Sequence, residues 1–275
     1  MTPTACSEFP VRLPRRYIPA ALAAAIGAVR SVADEISPSP RVLMIGGGCC
    51  HDYPRQQDII RDAIDDPIGG GSSLRCDWTV LRYGTRKDIR AEVYESRDWI
   101  DGFDLVIHNE CFGDVTDPAF VRGIVDAHHR TSTPAMFIHC SMHSYRYSAA
   151  ADEWRGLVGV RSVRHESVKR PLDVRWTDAA GGHAPAVAAR DAAGGGEVWT
   201  TPNGELYLID EVLEGVEVVA AAGSVERGDP QPVMWWHRRN GCRVAATTLG
   251  HHNETMRSEP YQAWLAAAAT WCVGR

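Results

Sequence analysis

Eleven histidines occur in 275 residues, and several stand just beyond short apolar runs. His51 follows residues 42–45 and the triplet Gly46-Gly47-Gly48. His108 and Glu110 follow the apolar start of the run at 104–107. His139 closes the run at 135–138, and His143 lies four residues further on. His251 and His252 come after the run at 243–248 and Gly250. His128, His129, His165, His183 and His237 do not share the full pattern, and His128 and His129 read as a solvated helix face.

Two chemistries fit these residues. In the first, His51, His139 and His251, with Glu110 as a further donor, hold a divalent metal. Neutral imidazoles and a carboxylate suit Zn²⁺, Mn²⁺ or Fe²⁺. An open coordination position would then polarise a carbonyl or hydroxyl. In the second, no metal is present, and Glu110 and His143 exchange protons near neutral pH. No compact HExxH spacing exists to decide between them.

Cys140 offers a third chemistry. It follows an apolar run and precedes Ser141 and His143, as a thiol nucleophile would. Its neighbours His139 and Met142 are larger than a tight nucleophile turn prefers, so Cys140 reads better as a small turn-filling residue. Cys49 and Cys50 read as packing against the first loop. The glycine triplet is not a GxGxxG fingerprint, and Tyr83-Gly84 rather than an acid ends the second run, so no nucleotide cofactor is expected. The glycines instead let the backbone turn closely around a ligand.

These residues need elements to bring them together. Apolar runs at 42–45, 78–83, 104–107 and 135–138 read as strands. Helical stretches at 54–64, 91–100 and 118–128 separate them. Unalternated strands between helices make a parallel sheet covered on both faces. Such a sheet binds ligands outside the carboxyl ends of its strands, which is where the histidines fall. The second half is more β-like, with strands at 206–209, 216–221, 233–237 and 243–248. Asn240-Gly241 is a hairpin turn between the last two. A helix over 260–271 closes the chain. Segments 65–73 and 178–197 read as loops.

Composition sets the outer limits. The chain is 44% hydrophobic and 23% charged, with net charge −6, an ordinary globular balance without a basic excess for nucleic acid. Its eight cysteines form no CxxC pair and imply a reducing compartment. No segment is apolar enough to span a membrane, so no membrane partner is expected. Residues 1–40 read as a helical extension and 41–275 as one α/β domain. Ile18, Leu22, Ile26, Val29, Ala33 and Ile36 follow helical spacing, and this helix is a candidate homodimer element. Arg15-Arg16 before the apolar stretch is the alternative signal, for twin-arginine export; the cytoplasm is the expected location.

Several short motifs, in order, resemble the trehalose-utilisation (ThuA-like) family of the class I glutamine-amidotransferase-like superfamily. They are Val42-Leu43-Met44-Ile45-Gly46-Gly47 with His51-Asp52-Tyr53, then Asp104-Leu105-Val106 and Phe137-Ile138-His139. Trp154-Arg155-Gly156-Leu157-Val158-Gly159 with His165 follows, then Glu205-Leu206-Tyr207 and Pro232-Val233-Met234-Trp235. Gly241-Cys242-Arg243-Val244 leads to Leu249-Gly250-His251. The resemblance implies a flavodoxin-like, mostly parallel sheet with helices on both faces and a β-hairpin extension. It implies isomerisation, epimerisation or cleavage of a sugar or keto-glycoside. His51, His139 and His251 match recurring family histidines. Cys140 falls where amidotransferase relatives carry their nucleophile, a position often inert in this family.

The expectation is therefore a carbohydrate-active enzyme. A metal on His51, His139 and His251 would stabilise an enediolate while Glu110 or His143 moves the proton. Tyr145, Arg146, Trp154 and His252 would line the sugar. The alternatives are a Cys140-dependent hydrolase or amidotransferase, and a non-catalytic ligand-binding module.

Overall fold

The computed structural model describes residues 38–67 and 74–274. The expected N-terminal helix, its export alternative and its role in a dimer lie outside the described residues. The strands are β1 (Arg41–Gly48), β2 (Asp77–Arg82), β3 (Leu105–Cys111), β4 (Ala135–Ile138), β5 (Val160–Lys169), β6 (Asp173–Trp176), β7 (Val198–Thr200), β8 (Glu205–Val212), β9 (Glu217–Gly223), β10 (Pro230–Arg239) and β11 (Cys242–Thr247). The helices are α1 (Tyr53–Asp65), α2 (Pro118–Thr131), α3 (Ala151–Val158), α4 (Ala184–Ala192), α5 (Asn253–Met256) and α6 (Glu259–Val273).

One sheet carries the order β2-β1-β3-β4-β11-β10-β9-β6-β7. Its first five strands run parallel. With β11 as the fifth strand, they follow the flavodoxin-like order 2-1-3-4-5. The remaining strands add antiparallel pairs, beginning with the β10–β11 hairpin. Asn240 and Gly241 both have positive φ there, +48° and +81°, as a two-residue hairpin turn requires. A separate antiparallel pair, β5 and β8, lies outside this sheet.

The alternation along β1 explains its continuous apolar run. Val42 and Met44 join the core layer that holds Ile60, Trp264 and Leu265. Leu43 and Ile45 join the opposite layer with Val121, Phe137 and Trp154. Both faces are dry, so both sets of side chains must be apolar. Helix starts are marked locally: Asp117 accepts from Ala119 N and Phe120 N ahead of Pro118, a cap worth about 1 kcal/mol.

Three expectations are corrected. Segment 91–100 forms only the 3₁₀ turn Glu92–Glu95; Ser96 and Asp98 bond to each other, and such short polar side chains compete with helix. Segment 178–197 is not a plain loop. It holds the 3₁₀ turn Asp178–Gly182 and then α4, where Ala186 and Ala189 are fully buried. Alanine is the best helix former, and its small side chain permits the close packing of α4 on α6. His128 is not solvated. It is fully buried, its Nδ1–H donates to Thr133 O at 2.9 Å, and its Nε2 faces His108 Nε2 at 3.1 Å.

Burial lowers the pKa of His128 to about 3 and that of His237 to about 4. Both fold neutral, whereas the unfolded chain takes up their protons below the ordinary value of 6.5. Stability should therefore hold above pH 6.5 and fall as pH drops towards 4. Each histidine contributes a loss on the order of 1–2 kcal/mol by pH 5. Urea denaturation at pH 7.5 and pH 5 measures this, and equal midpoints would contradict it.

Candidate metal centre

Four separate segments deliver the site. β1 ends at Gly48 and leads through Cys49-Cys50 to His51. β4 ends at Ile138, and His139 begins a 3₁₀ turn with φ +46°. β11 leads through Thr248-Leu249-Gly250 to His251. Glu205 opens β8, across from Lys169 of β5. Positive φ at Cys50 (+85°), His139 and Tyr145 (+59°) places strained backbone around one pocket.

The side chains converge. His51 Nε2 lies 2.9 Å from His251 Nδ1, and His139 Nε2 lies 3.3 Å from the same atom. Glu205 Oε2 stands 3.3 Å from His139 Nε2 and 3.2 Å from His251 Nδ1. One ligand atom from each of the four residues lies within 4.8 Å of every other. Donors at zinc-like distances in a tetrahedron sit about 3.4 Å apart. The donor set and its spacing fit a divalent cation.

Protons on the far side of two rings fix what faces inward. Tyr53 donates its hydroxyl to Cys49 O at 2.9 Å, so it accepts from His51 Nδ1–H at 3.1 Å. His139 Nδ1–H donates to Thr248 O at 2.5 Å. Both rings therefore turn an Nε2 lone pair into the centre. Glu205 adds a carboxylate oxygen. Among the four residues only His251 Nδ1 is left to bring a proton, and the Tyr207 hydroxyl stands 3.5 Å from His139 Nε2.

The electrostatics agree. Burial, then repulsion from His139 and His251, lowers His51 to about 2. Burial likewise lowers His139. Burial would raise the Glu205 carboxyl, but its contacts with His139 and His251 outweigh it and hold the pKa far below the usual range. Neutral imidazoles and an ionised carboxylate are the forms that bind metal.

A cavity of about 260 Å³ opens beside the centre. His143 lines it, 2% exposed, stacked on Tyr207 with ring centroids 4.1 Å apart. Ser162 Oγ donates to Leu208 O, so it accepts from His143 Nε2–H at 2.9 Å, leaving Nδ1 with a lone pair. Burial, then the Arg146 charge, lowers His143 to about 3. Cys140 lines the same cavity, and its thiol donates to Cys111 Sγ at 2.8 Å. That bond draws the Cys111 thiol down, helped by the charges of Arg146 and Lys87. The same bond and burial push Cys140 well up. Cys49 and Cys50, expected to pack against the first loop, are joined as a disulfide at the cavity wall. Their adjacent positions in the turn after β1 allow it.

The structure brings His51, His139, His251, His143, Cys140 and Arg146 to this cavity. His252 lines an adjoining open groove with Asp52 and Asn253. Three expected site residues are elsewhere. Glu110 is fully buried, with Oε1 2.9 Å from His108 Nδ1 and 3.0 Å from Tyr94 Oη. Period-two alternation along β3 turns it to the face of His108, away from the cavity that Cys111 lines. Tyr145 is fully buried against Trp154 and Phe120. Trp154 is equally buried and donates Nε1–H to Ser141 O at 3.0 Å. Both belong to the core layer beneath the site.

Residues missed from the sequence are Glu205, Lys169, His165, Lys87 and Tyr207. Lys169 Nζ lies 2.8 Å from His251 Nε2 and 3.6 Å from Glu205 Oε1. His165 Nε2 lies 3.6 Å from Glu205 Oε1. The available signal was an acid directly preceding the apolar run 206–209, the same arrangement that flags strand-end histidines.

The sequence profile of the family described as ThuA: Trehalose utilisation matches residues 80–272. A ThuA-like protein from Parabacteroides merdae has a similar structure, with TM-score 0.64, 13% identity, and coverage of 86% of this chain and 91% of that one. A ThuA-like protein from Bacteroides uniformis gives TM-score 0.58 and 11% identity, covering 87% and 94%. A glutamine amidotransferase from Thermotoga maritima gives TM-score 0.44 and 9% identity, covering 87% and 100%. No curated protein matches the sequence. No helix among the described residues is long and apolar enough to cross a membrane.

Gly48 is the residue on which the His51 turn depends. Its φ is +94°, and a Cβ there would stand 2.2 Å from Cys111 O. Gly48→Ala should lower stability by about 2 kcal/mol or more, since strain of this kind alone costs about 1–3 kcal/mol. A denaturation midpoint equal to that of the parent protein would show that the turn tolerates a side chain.

Proposed function

The chain belongs to the trehalose-utilisation (ThuA) family, and on that premise we propose that it is a metal-dependent enzyme acting on a carbohydrate, with His51, His139, His251 and Glu205 as the cation ligands. The observation that carries the reading is the convergence of acceptor atoms. His51 Nε2 and His139 Nε2 point lone pairs at a carboxylate oxygen and a third imidazole, all within one small volume. A divalent cation satisfies all of them together once the proton leaves His251 Nδ1, as metal binding requires. The family description supports a carbohydrate as substrate.

A bound cation supplies Lewis acidity at a sugar carbonyl or hydroxyl oxygen. The chain's own residues do the rest. His143 holds an uncharged imidazole in the cavity wall, oriented by Ser162 Oγ and by stacking on Tyr207. Its free Nδ1 takes a proton from the carbon beside a sugar ketone, while that C–H electron pair moves towards the carbonyl oxygen. The imidazolium then returns the proton to carbon or to a departing oxygen. Isomerisation, epimerisation and glycoside cleavage all begin with that removal. Glu110 has no part in it, because it is sealed on the other side of β3.

The thiol alternative has less support. A strand-end nucleophile occupies the strained position of its turn. Here the left-handed backbone falls on His139, and Cys140 donates its proton to another thiol.

The test is cobalt titration of the metal-stripped protein, followed by d–d absorption and thermal melting. One equivalent should bind and raise the melting temperature. His139→Ala and Glu205→Gln should each weaken binding by more than roughly tenfold, the lower end of what even outer-shell changes cost. Absence of cobalt binding would overturn the metal assignment. Once turnover of a keto-glycoside is in hand, Cys140→Ser should retain it and chelator should abolish it. Loss of turnover in Cys140→Ser with cobalt binding intact would restore the thiol mechanism.

A further inference from the structure

The cavity beside the histidine cluster is cationic, although the chain is acidic overall. Among the described residues its wall carries Lys87, Arg146 and Lys169 against a single carboxylate, Glu205. Glu205 is already engaged by Lys169, His139 and His251. Lys87 and Arg146 have no carboxylate partner among the described residues, and Arg146 Nε is buried without a hydrogen bond. The net charge of the whole chain is −6, so this concentration of positive charge runs against the average.

The backbone is arranged to place these two side chains. Lys87 O accepts from Asp114 N at 3.1 Å, tying the segment after β2 to the segment after β3. Tyr145 adopts φ +59° immediately before Arg146. Gly113 leaves room for the guanidinium, since a Cβ there would stand 3.3 Å from Arg146 Nε and 3.4 Å from His143 O. Strain and a missing side chain thus both serve an arginine that pairs with no acid of the described chain.

A half-buried guanidinium whose Nε is sealed from water without an acceptor is costly unless a ligand supplies one. Arg suits the two oxygens of a carboxylate or phosphate, and Lys adds a point charge. We propose that the substrate is an anionic carbohydrate, a sugar acid or sugar phosphate, whose charged group is held by Arg146 and Lys87. The inference rests on reading this cavity as the substrate site of the metal-dependent enzyme. The volume of about 260 Å³ falls below the roughly 300–1,000 Å³ of drug-sized sites, which suits one sugar ring. The open groove at Asp52, His252 and Asn253 shares His51 and His251 with the cavity and offers space for a further residue of a glycoside. Field focusing by the cationic cavity draws an anion in and disfavours neutral sugars by comparison.

Calorimetric titration of the cobalt-loaded protein with D-glucuronate, D-glucose 6-phosphate and D-glucose tests this. At least one acid should bind roughly tenfold more tightly than glucose, a difference of about 1.4 kcal/mol. Preference for glucuronate identifies a carboxylate as the charged group, and preference for the hexose phosphate identifies a phosphate. Arg146→Gln and Lys87→Gln should erase the preference while the cobalt spectrum and melting temperature stay unchanged. Failure of both acids to bind, binding equal to that of glucose, or a preference that survives both substitutions would overturn the inference. Cobalt binding without acid preference removes only this inference. An Arg146-dependent preference in protein that takes up no cobalt removes only the metal assignment.

Discussion

The structure of the site depends on one constraint: lone pairs that face each other with too few protons between them. His51 Nε2, His139 Nε2, His251 Nδ1 and a Glu205 oxygen share one small volume. At most one of the nitrogens brings a proton, because Tyr53 and Thr248 O hold the N–H groups of the first two rings on their far sides. Acceptors packed this closely repel one another unless something positive stands among them. Protonating the rings would supply the charge, but burial and mutual repulsion lower both His51 and His139.

That constraint explains the backbone around it. Five parallel strands set their carboxyl ends along one edge, and three of them, β1, β4 and β11, feed histidines to the same point. Each delivery needs an awkward turn: Gly48 at φ +94°, His139 at +46°, Gly250 at +115°. The fourth ligand comes from outside the parallel sheet. Among the described residues β8 pairs only with β5, and Glu205 stands at its first position, opposite Lys169. The rigid sheet supplies direction, and the β5–β8 pair supplies the carboxylate and most of the neighbouring charge.

The parallel half of the fold was legible because its signal is local. Runs such as 42–45 and 135–138 are apolar on both faces, and Pro118 and Pro260 mark helix starts. The three histidines were legible because they sit at the ends of such runs. Glu205 was not, because its partner strand β5 is polar and bulged, with exposed residues at 163–165 and 167–169. Nothing in that stretch announces a strand, so nothing announced what its neighbour would face. Glu110 was misplaced for a related reason. Its position after a strand suggested the rim, but the alternation of β3 decides the face, and the side chain lies with His108.

Two histidine clusters in one chain therefore call for different explanations, and proton counting separates them. In the buried cluster, His128 Nδ1–H donates to Thr133 O, leaving Nε2 to accept from His108 Nε2–H. The other nitrogen of His108 meets Glu110 Oε1, which also accepts from Tyr94. Along that chain the His108–His128 contact, the His128 bond to Thr133 O and the Tyr94 bond to Glu110 Oε1 each join groups of complementary role. Of its side-chain atoms only Glu110 Oε2 lacks a partner among the described residues. It is a closed structural network, sealed from solvent, and a cation there would displace bonds already made. At the sheet edge the order is reversed: the proton-bearing nitrogens of His51 and His139 are spent on Tyr53 and Thr248, and the acceptors are left pointing inward beside an open cavity. The same residue types at similar spacing thus serve packing in one place and binding in the other, according to which side of each ring carries the proton.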